Sequence, residues 1–462
     1  MSGLAVSSDA RGDLIGRDQK PFAAPPAKRP RDLRLDFFRG IAMFIILIAH
    51  IPWNDLNLWI PARFGFSDAT EIFVFCSGMA SAIAFASIFD KHGWFMGVAR
   101  VLHRVWQVYW AHIGMFLAVC VWVSFMDVLA NQGDYLKHDL NLMPFFQANT
   151  AQQLLGLFTL TYVPNYFDIL PMYLVILLMI PLVMGIARIS PKAALAFCAM
   201  LWLATNIETY INVANGSHLA WLRFYAEPWN NPGWLTWYNQ GNISPEALAA
   251  LQPRFWFFNP FGWQLIFFTG FAFMRGWIPK PPVNKALIWT AAAFLILSLP
   301  FAYYRVFEGA FWNKEINDWV LSFGIAELRA KYDWLIWKSD LGIIRYVHFL
   351  CVGYLAWVAC GENGKHLAGD NIWGRTVTVI RTVGQQSLAI FLFSMVSARI
   401  LGYTFVPQAG HPFHITDVQS DWRWLHTLII NVAGIILLIL VAYMVAWFKK
   451  QPWRNPPAPK AA

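Results

Sequence analysis

Charge is what this chain has least of. Asp, Glu, Lys and Arg supply 13% of its 462 residues, where soluble proteins carry about 25%. That shortage excludes an ordinary soluble domain, and no stretch reads as one. Cysteine is scarce as well. Cys76, Cys120, Cys198, Cys351 and Cys360 form no C-x-x-C pair and fall mostly inside apolar runs, so they read as small core residues, not as metal ligands or disulfides. No P-loop, Rossmann fingerprint, H-E-x-x-H motif or internal repeat occurs.

What the chain has is apolar length. Hydrophobic residues make up 58% and aromatics 17%, with a mean hydropathy of +0.44. Spread over many runs of about 20 residues, this is an all-α polytopic membrane protein. The formal charge of +9 lies between the runs and in the tails, where the positive-inside rule puts it, so it does not point to nucleic acid. The expected spans are 37–52, 69–89, 105–126, 166–187, 193–210, 259–277, 286–304, 341–360, 384–403 and 425–448. The short basic loops between alternate spans predict a bundle of about ten helices with both termini cytoplasmic. Residues 1–30 are polar and Pro-rich without a signal-peptide core, and read as a disordered cytoplasmic tail. Residues 31–450 form the membrane domain, and 451–462 a second cytoplasmic tail. The sequence sets no oligomeric state.

Ionisable residues inside such runs are costly and point to function. In LDFFRGIAMFIILIAHI, Arg39 and His50 have ten residues between them, and Asp36 lies three before Arg39. An eleven-residue helical step returns almost to the same face about 16 Å further on. One stripe of the first span therefore carries an acid, a guanidinium and an imidazole. The plain alternative is a headgroup-anchoring arginine and a satisfied interfacial histidine. At the outer depth of His50 lie Asp68, Glu71, Asp168, Asn259, Gln264, Arg345 and His348, the setting of a general base with orienting partners, or of a polar interfacial belt. Towards the inner face lie Arg34, Arg39, Arg100, Arg104 and Arg381, which suit phosphate binding but also follow from positive-inside bias. Trp221, Phe224, Trp229, Trp234, Trp237, Tyr238, Phe255, Trp256 and Trp263 could stack on sugar rings or form an interfacial belt.

The stretch LDFFRGIAMFIILIAHI followed by EIFVFCSGMA resembles the opening of the integral-membrane acyltransferases (acyltransferase-3-like). That family has an Arg and a His ten residues apart on its first span, then a Phe-rich segment ending in Ser-Gly, here Phe73 and Phe75-Cys76-Ser77-Gly78. FGFSDATEIFVF, YFDILPMY, FFNPFGWQLIF and GQQSLAIF resemble one branch, the OpgC-type proteins that succinylate osmoregulated periplasmic glucans. The resemblance implies a membrane-bound O-acyltransferase of the bacterial inner membrane, with succinyl-CoA as donor, a periplasmic glucan as acceptor and no permanently bound cofactor or metal. His50, Arg39, Asp36 and Glu71 would form its catalytic set. Asp36 would orient Arg39, and Glu71 or Asp68 would hold the tautomer of His50. Arg34, Asp68, Ser77, Arg104, Asp168, Gln264, Arg345 and His348 would contact substrate. Both direct transfer and an acyl-histidine intermediate fit. The competing class is a transporter moving a small anion or glycan, with Arg39 and His50 as relay residues.

Overall fold

The computed structural model describes residues 32–130, 140–147, 150–214, 222–226, 254–311, 313–405 and 422–454. Among these residues there is no named strand, only an isolated antiparallel bridge between Tyr225 and Phe255. The helices of ten or more residues are α1 (Leu33–His50), α2 (Ala69–Ser81), α3 (Ser87–Ala130), α4 (Thr150–Thr159), α5 (Ile169–Ile189), α6 (Pro191–Ala214), α7 (Pro260–Arg275), α8 (Lys285–Ala302), α9 (Ile343–Cys360), α10 (Ile372–Gln385), α11 (Ser387–Phe405) and α12 (Arg423–Lys450). The expected tail 1–30, residues 455–462 of the second tail, residues 131–139 and Trp221, Trp229, Trp234, Trp237 and Tyr238 lie outside the described residues.

Among the described residues seven helices are long and apolar enough to cross a membrane. The chain is a multi-pass membrane protein. The stretch Ala69–Leu129 counts once in that seven although it contains the second and third expected spans. It is continuous through a π-helical turn at Ala82–Ala86 and a kink at Gly93, whose φ of 82° suits glycine. Two further expected spans miss the criterion for visible reasons. α1 carries Arg34, Asp36 and Arg39 within 18 residues, and α7 has only 16 residues. On α8 and α9 only 11% and 17% of the apolar window is buried, so both turn their side chains outward, as a lipid-facing helix does.

Two stretches differ from the sequence reading. The basic connection after α9 contains α10, an amphipathic helix that buries Val377, Ile380 and Val383; Arg375 and Arg381 disguise it as a loop. The polar stretch 305–340 contains the short helices Lys314–Leu321 and Ile325–Lys331.

α1 occupies the centre, packed mainly on α10, α2 and α11. Its contact with α10 is made by a reciprocal pair of glycines. A Cβ on Gly40 would strike the Ile380 carbonyl, and one on Gly384 would strike the Asp36 carbonyl. α2 and α7 meet in the same way, Gly78 against Phe267 and Gly270 against Phe75. The glycine of the Phe-Cys-Ser-Gly segment is thus a close-packing residue, as small residues are between membrane helices. All five cysteines are free, four of them buried.

Candidate functional site

α1 stops at His50 because Pro52 has no N–H to continue it. The side chain of Asn54 takes over the exposed Ile48 carbonyl, donating from Nδ2 at 2.9 Å. Asn54 also exchanges amide hydrogen bonds of 2.9 and 2.8 Å with Asn431 on α12, which anchors this end of the helix.

His50 Nδ1 lies 2.7 Å from the Ile46 carbonyl. A carbonyl only accepts, so Nδ1 carries the proton and Nε2 the lone pair. Among the described residues Nε2 has no hydrogen-bond partner. His50 lines a cavity of about 520 Å³ between α1, the α1–α2 connection and the starts of α2 and α5. Ile45, Ile46, Ala49, Phe391 and Met395 supply its apolar wall; Arg63, Asp68, Asp168, Tyr166 and Lys338 supply its polar groups.

Tyr166 sits edge-on to the His50 ring, centroids 5.3 Å apart. Its φ of 87° is unfavourable for a bulky residue by roughly 1–3 kcal/mol. Two contacts hold it there. Its hydroxyl donates to the Met395 carbonyl, and the Arg399 guanidinium lies 4.2 Å over its ring. Arg399, Lys338 and Asp68 are all near enough to act on the charge of His50.

The expected carboxylate support of His50 is a correction. The Ile46 carbonyl takes that place, because a helix carbonyl one turn back is within reach of the ring. Glu71 instead accepts from the Asp68 backbone N–H at 2.8 Å and pairs with Arg345 at 3.0 Å. Asp68 in turn accepts from Thr70 N at 2.6 Å, closing a capping box, and pairs with Lys338. Burial alone would raise the Asp68 carboxyl, but Lys338 and the bonded Glu71 hold it well below the usual carboxylate range. These four charges join α2, α9 and the loop before α9, and they deliver Lys338 to the cavity. Trp263 holds the same loop, its Nε1 donating to the Lys338 and Ser339 carbonyls at 2.9 and 3.1 Å.

Asp168, just before α5, accepts from the Phe257 N–H at 2.9 Å. Burial pushes its carboxyl up to about 7, against the Phe257 bond and the charge of Arg254. The cavity therefore brings together His50, Asp68 and Asp168 of the expected residues. Arg345 stands behind it through Glu71. His348 contacts Ser67 instead, Nδ1 to Oγ at 2.7 Å, pinning the α1–α2 connection. Gln264 is fully buried and ties α7 to the Cys198 carbonyl of α6 at 2.7 Å. Ser77 is buried within α2 and lines no wall of the cavity. Of the described aromatics, Phe224 and Trp256 stack on each other at 4.6 Å.

The N-terminal end of α1 forms a second cluster. Asp36 is fully buried and accepts from Gln385 Nε2 at 3.2 Å; Arg39 donates to Ser387. Arg34 packs beside Gly364, whereas Arg104 is bonded only to Gln107 of its own helix among the described residues. Sequence reasoning missed Arg63, Tyr166 and Lys338 at the cavity, Arg399 over the Tyr166 ring, and Gln385 and Ser387 at the N-terminal end of α1. Tyr166 and the latter two stand in YFDILPMY and GQQSLAIF, which marked the stretches but not the roles. Among the described residues no group of three or more His, Cys, Asp or Glu could hold a metal ion.

A family described as OpgC protein matches residues 31–450. The chain belongs to the OpgC family. No curated protein and no solved structure gives a match. Membership covers nearly the whole chain, including both ends of α1 and every wall of the cavity, and makes this an OpgC-like transferase.

Proposed function

We propose that the protein is an O-acyltransferase of the bacterial inner membrane that moves a succinyl group from cytoplasmic succinyl-CoA to a hydroxyl of a periplasmic glucan. Ten spans with both termini cytoplasmic would put the His50 cavity on the outer side. The observation that carries the reading is the free Nε2 of His50, its tautomer fixed by Ile46, in a cavity large enough for an acyl group and a sugar hydroxyl.

In this reading Nε2 takes the proton from the acceptor hydroxyl as its oxygen attacks the thioester carbonyl carbon. The negative charge that collects on the carbonyl oxygen forms within reach of the positive charge of Lys338 and Arg399. Collapse breaks the carbon–sulfur bond, and the leaving thiolate recovers the proton from the imidazolium. Asp168 holds or orients the acceptor. At the inner end Arg39, with Arg34 and Arg104, grips the phosphates of coenzyme A. An arm spanning about 16 Å, eleven residues of helix, would bring the thioester to His50.

The test is purified protein in lipid nanodiscs with succinyl-CoA and a glucan, read by mass spectrometry. The expected product is a glucan heavier by one succinyl ester, abolished by His50→Ala. Retained turnover in that variant would remove His50 from the mechanism. Movement of an unmodified anion or glycan across proteoliposomes, with no ester formed, would establish a transporter instead.

A further inference from the structure

Not every charge lining the His50 cavity is matched. Lys338 is paired with Asp68, and Asp168 is engaged by the Phe257 N–H. Arg63 is different. It ends the 3₁₀ turn Pro61–Arg63 between α1 and α2, half-buried, and lines the same cavity as His50. Its Nε donates to the Asn57 carbonyl at 3.2 Å, which fixes the base of the guanidinium. Among the described residues neither terminal nitrogen meets a carboxylate. Its neighbours in the wall, Ile60 and Ala62, are apolar.

A guanidinium held by its Nε presents its two Nη groups as a fork that matches a carboxylate. The same cavity is lined by Ile45, Ile46 and Ala49 of α1, a surface suited to methylene groups. Such a cavity fits a short chain with a reactive carbonyl at one end and an anion at the other. We propose that Arg63 binds a carboxylate at the far end of the acyl group held against His50, and so selects a dicarboxylic monothioester over an uncharged acyl thioester. This rests on the acyl-transfer reading above. A glucan bearing a carboxylate would offer the same chemistry from the acceptor side, and the experiment separates the two sources.

Donor-concentration kinetics would be measured on wild type, Arg63→Gln and Arg63→Lys with succinyl-CoA and butyryl-CoA, whose acyl chains have equal length, each with an uncharged and with a carboxylated glucan. Arg63→Gln is expected to lower the succinyl-to-butyryl ratio of kcat/KM by roughly 10- to 100-fold, the loss of one charge-assisted pair. Arg63→Lys should recover part of it, since charge returns without the fork. Equal losses with both donors would make Arg63 a support of the loop and overturn the proposal, as would an unchanged ratio. A loss that appears only with a carboxylated glucan would move the anion to the acceptor and overturn it too. A wild-type protein that transfers neither acyl group would overturn the acyl-transfer reading and this proposal together; an active wild type with an indifferent Arg63→Gln overturns this proposal alone.

Discussion

At its N-terminal end α1 is locked into its surroundings: Asp36 is fully buried and bonded by Gln385, Arg39 is bonded by Ser387, and the glycines at 40 and 384 bring the two backbones into contact. At its C-terminal end the same helix faces a cavity, and His50 keeps a ring nitrogen that no described residue engages. The two ends carry similar ionisable groups under opposite conditions. Partners at the N-terminal end are side chains of two neighbouring helices, Gln385 of α10 and Ser387 of α11; at the C-terminal end Lys338 and Asp68 pair with each other, while among the described residues Arg63 meets no carboxylate and His50 Nε2 no hydrogen-bond partner. A closed polar cluster holds position, while an open cavity with one unsatisfied base does chemistry. On the acyl-transfer reading proposed above, the N-terminal end would fix α1 and anchor the donor, and the reaction would take place at the cavity.

The largest effect should come from the C-terminal end of α1. His50→Ala removes the base and is expected to lower kcat by roughly 10²- to 10⁴-fold, with donor affinity and thermal stability kept. A comparable fall in donor affinity would merge the two ends into one site. Next comes the packing of the N-terminal end. Gly384→Leu puts a side chain against the Asp36 backbone and should cost about 1–3 kcal/mol or more, read as a lower midpoint of thermal unfolding in detergent. An unchanged midpoint would mean that this contact is not close in solution.

Arg39→Ala sharpens the comparison by kinetics. A group that grips coenzyme A in ground and transition states alike should raise the KM for succinyl-CoA by about 10-fold or more, with less change in kcat. Arg39→Lys should recover only part of the binding. A variant that binds donor normally but loses turnover would put Arg39 at the reacting centre.

The smallest effect concerns Asp168. A carboxyl raised from 3.8 to about 7 in the folded protein binds a proton more tightly there than in the unfolded chain. Its stabilisation is present below about pH 4 and is lost as pH rises through about 7. Asp168→Asn should flatten the fall of the unfolding midpoint between those pH values. If wild type and variant keep parallel profiles, Asp168 does not titrate in that window.

Much of this was legible because membranes penalise polar groups. The stripe of Asp36, Arg39 and His50 stands out inside an apolar run, and the seven described helices long and apolar enough to cross a membrane fall where hydropathy put expected spans. The partners were harder to read. The group that orients His50 is the Ile46 carbonyl, and a backbone atom leaves no mark on residue type. Glu71 has the right depth for His50, but Arg345 and the Asp68 amide hold it, a choice made by three-dimensional proximity alone. Lys338 and Arg63 lie in polar connections, where a charged residue needs no explanation and so attracts none. α10 was hidden because Arg375 and Arg381 lower its hydropathy while Val377, Ile380 and Val383 keep their helical spacing.

The division of labour along α1 is tested most directly in proteoliposomes of uniform orientation, with succinyl-CoA supplied only on the cytoplasmic side and glucan only on the other. Ester on the glucan is predicted in this separated arrangement, absent with His50→Ala and restored for Arg39→Ala by raising the donor concentration. Ester that forms only when donor and glucan share a side would contradict a donor anchored at the inner end and a reaction at the outer one.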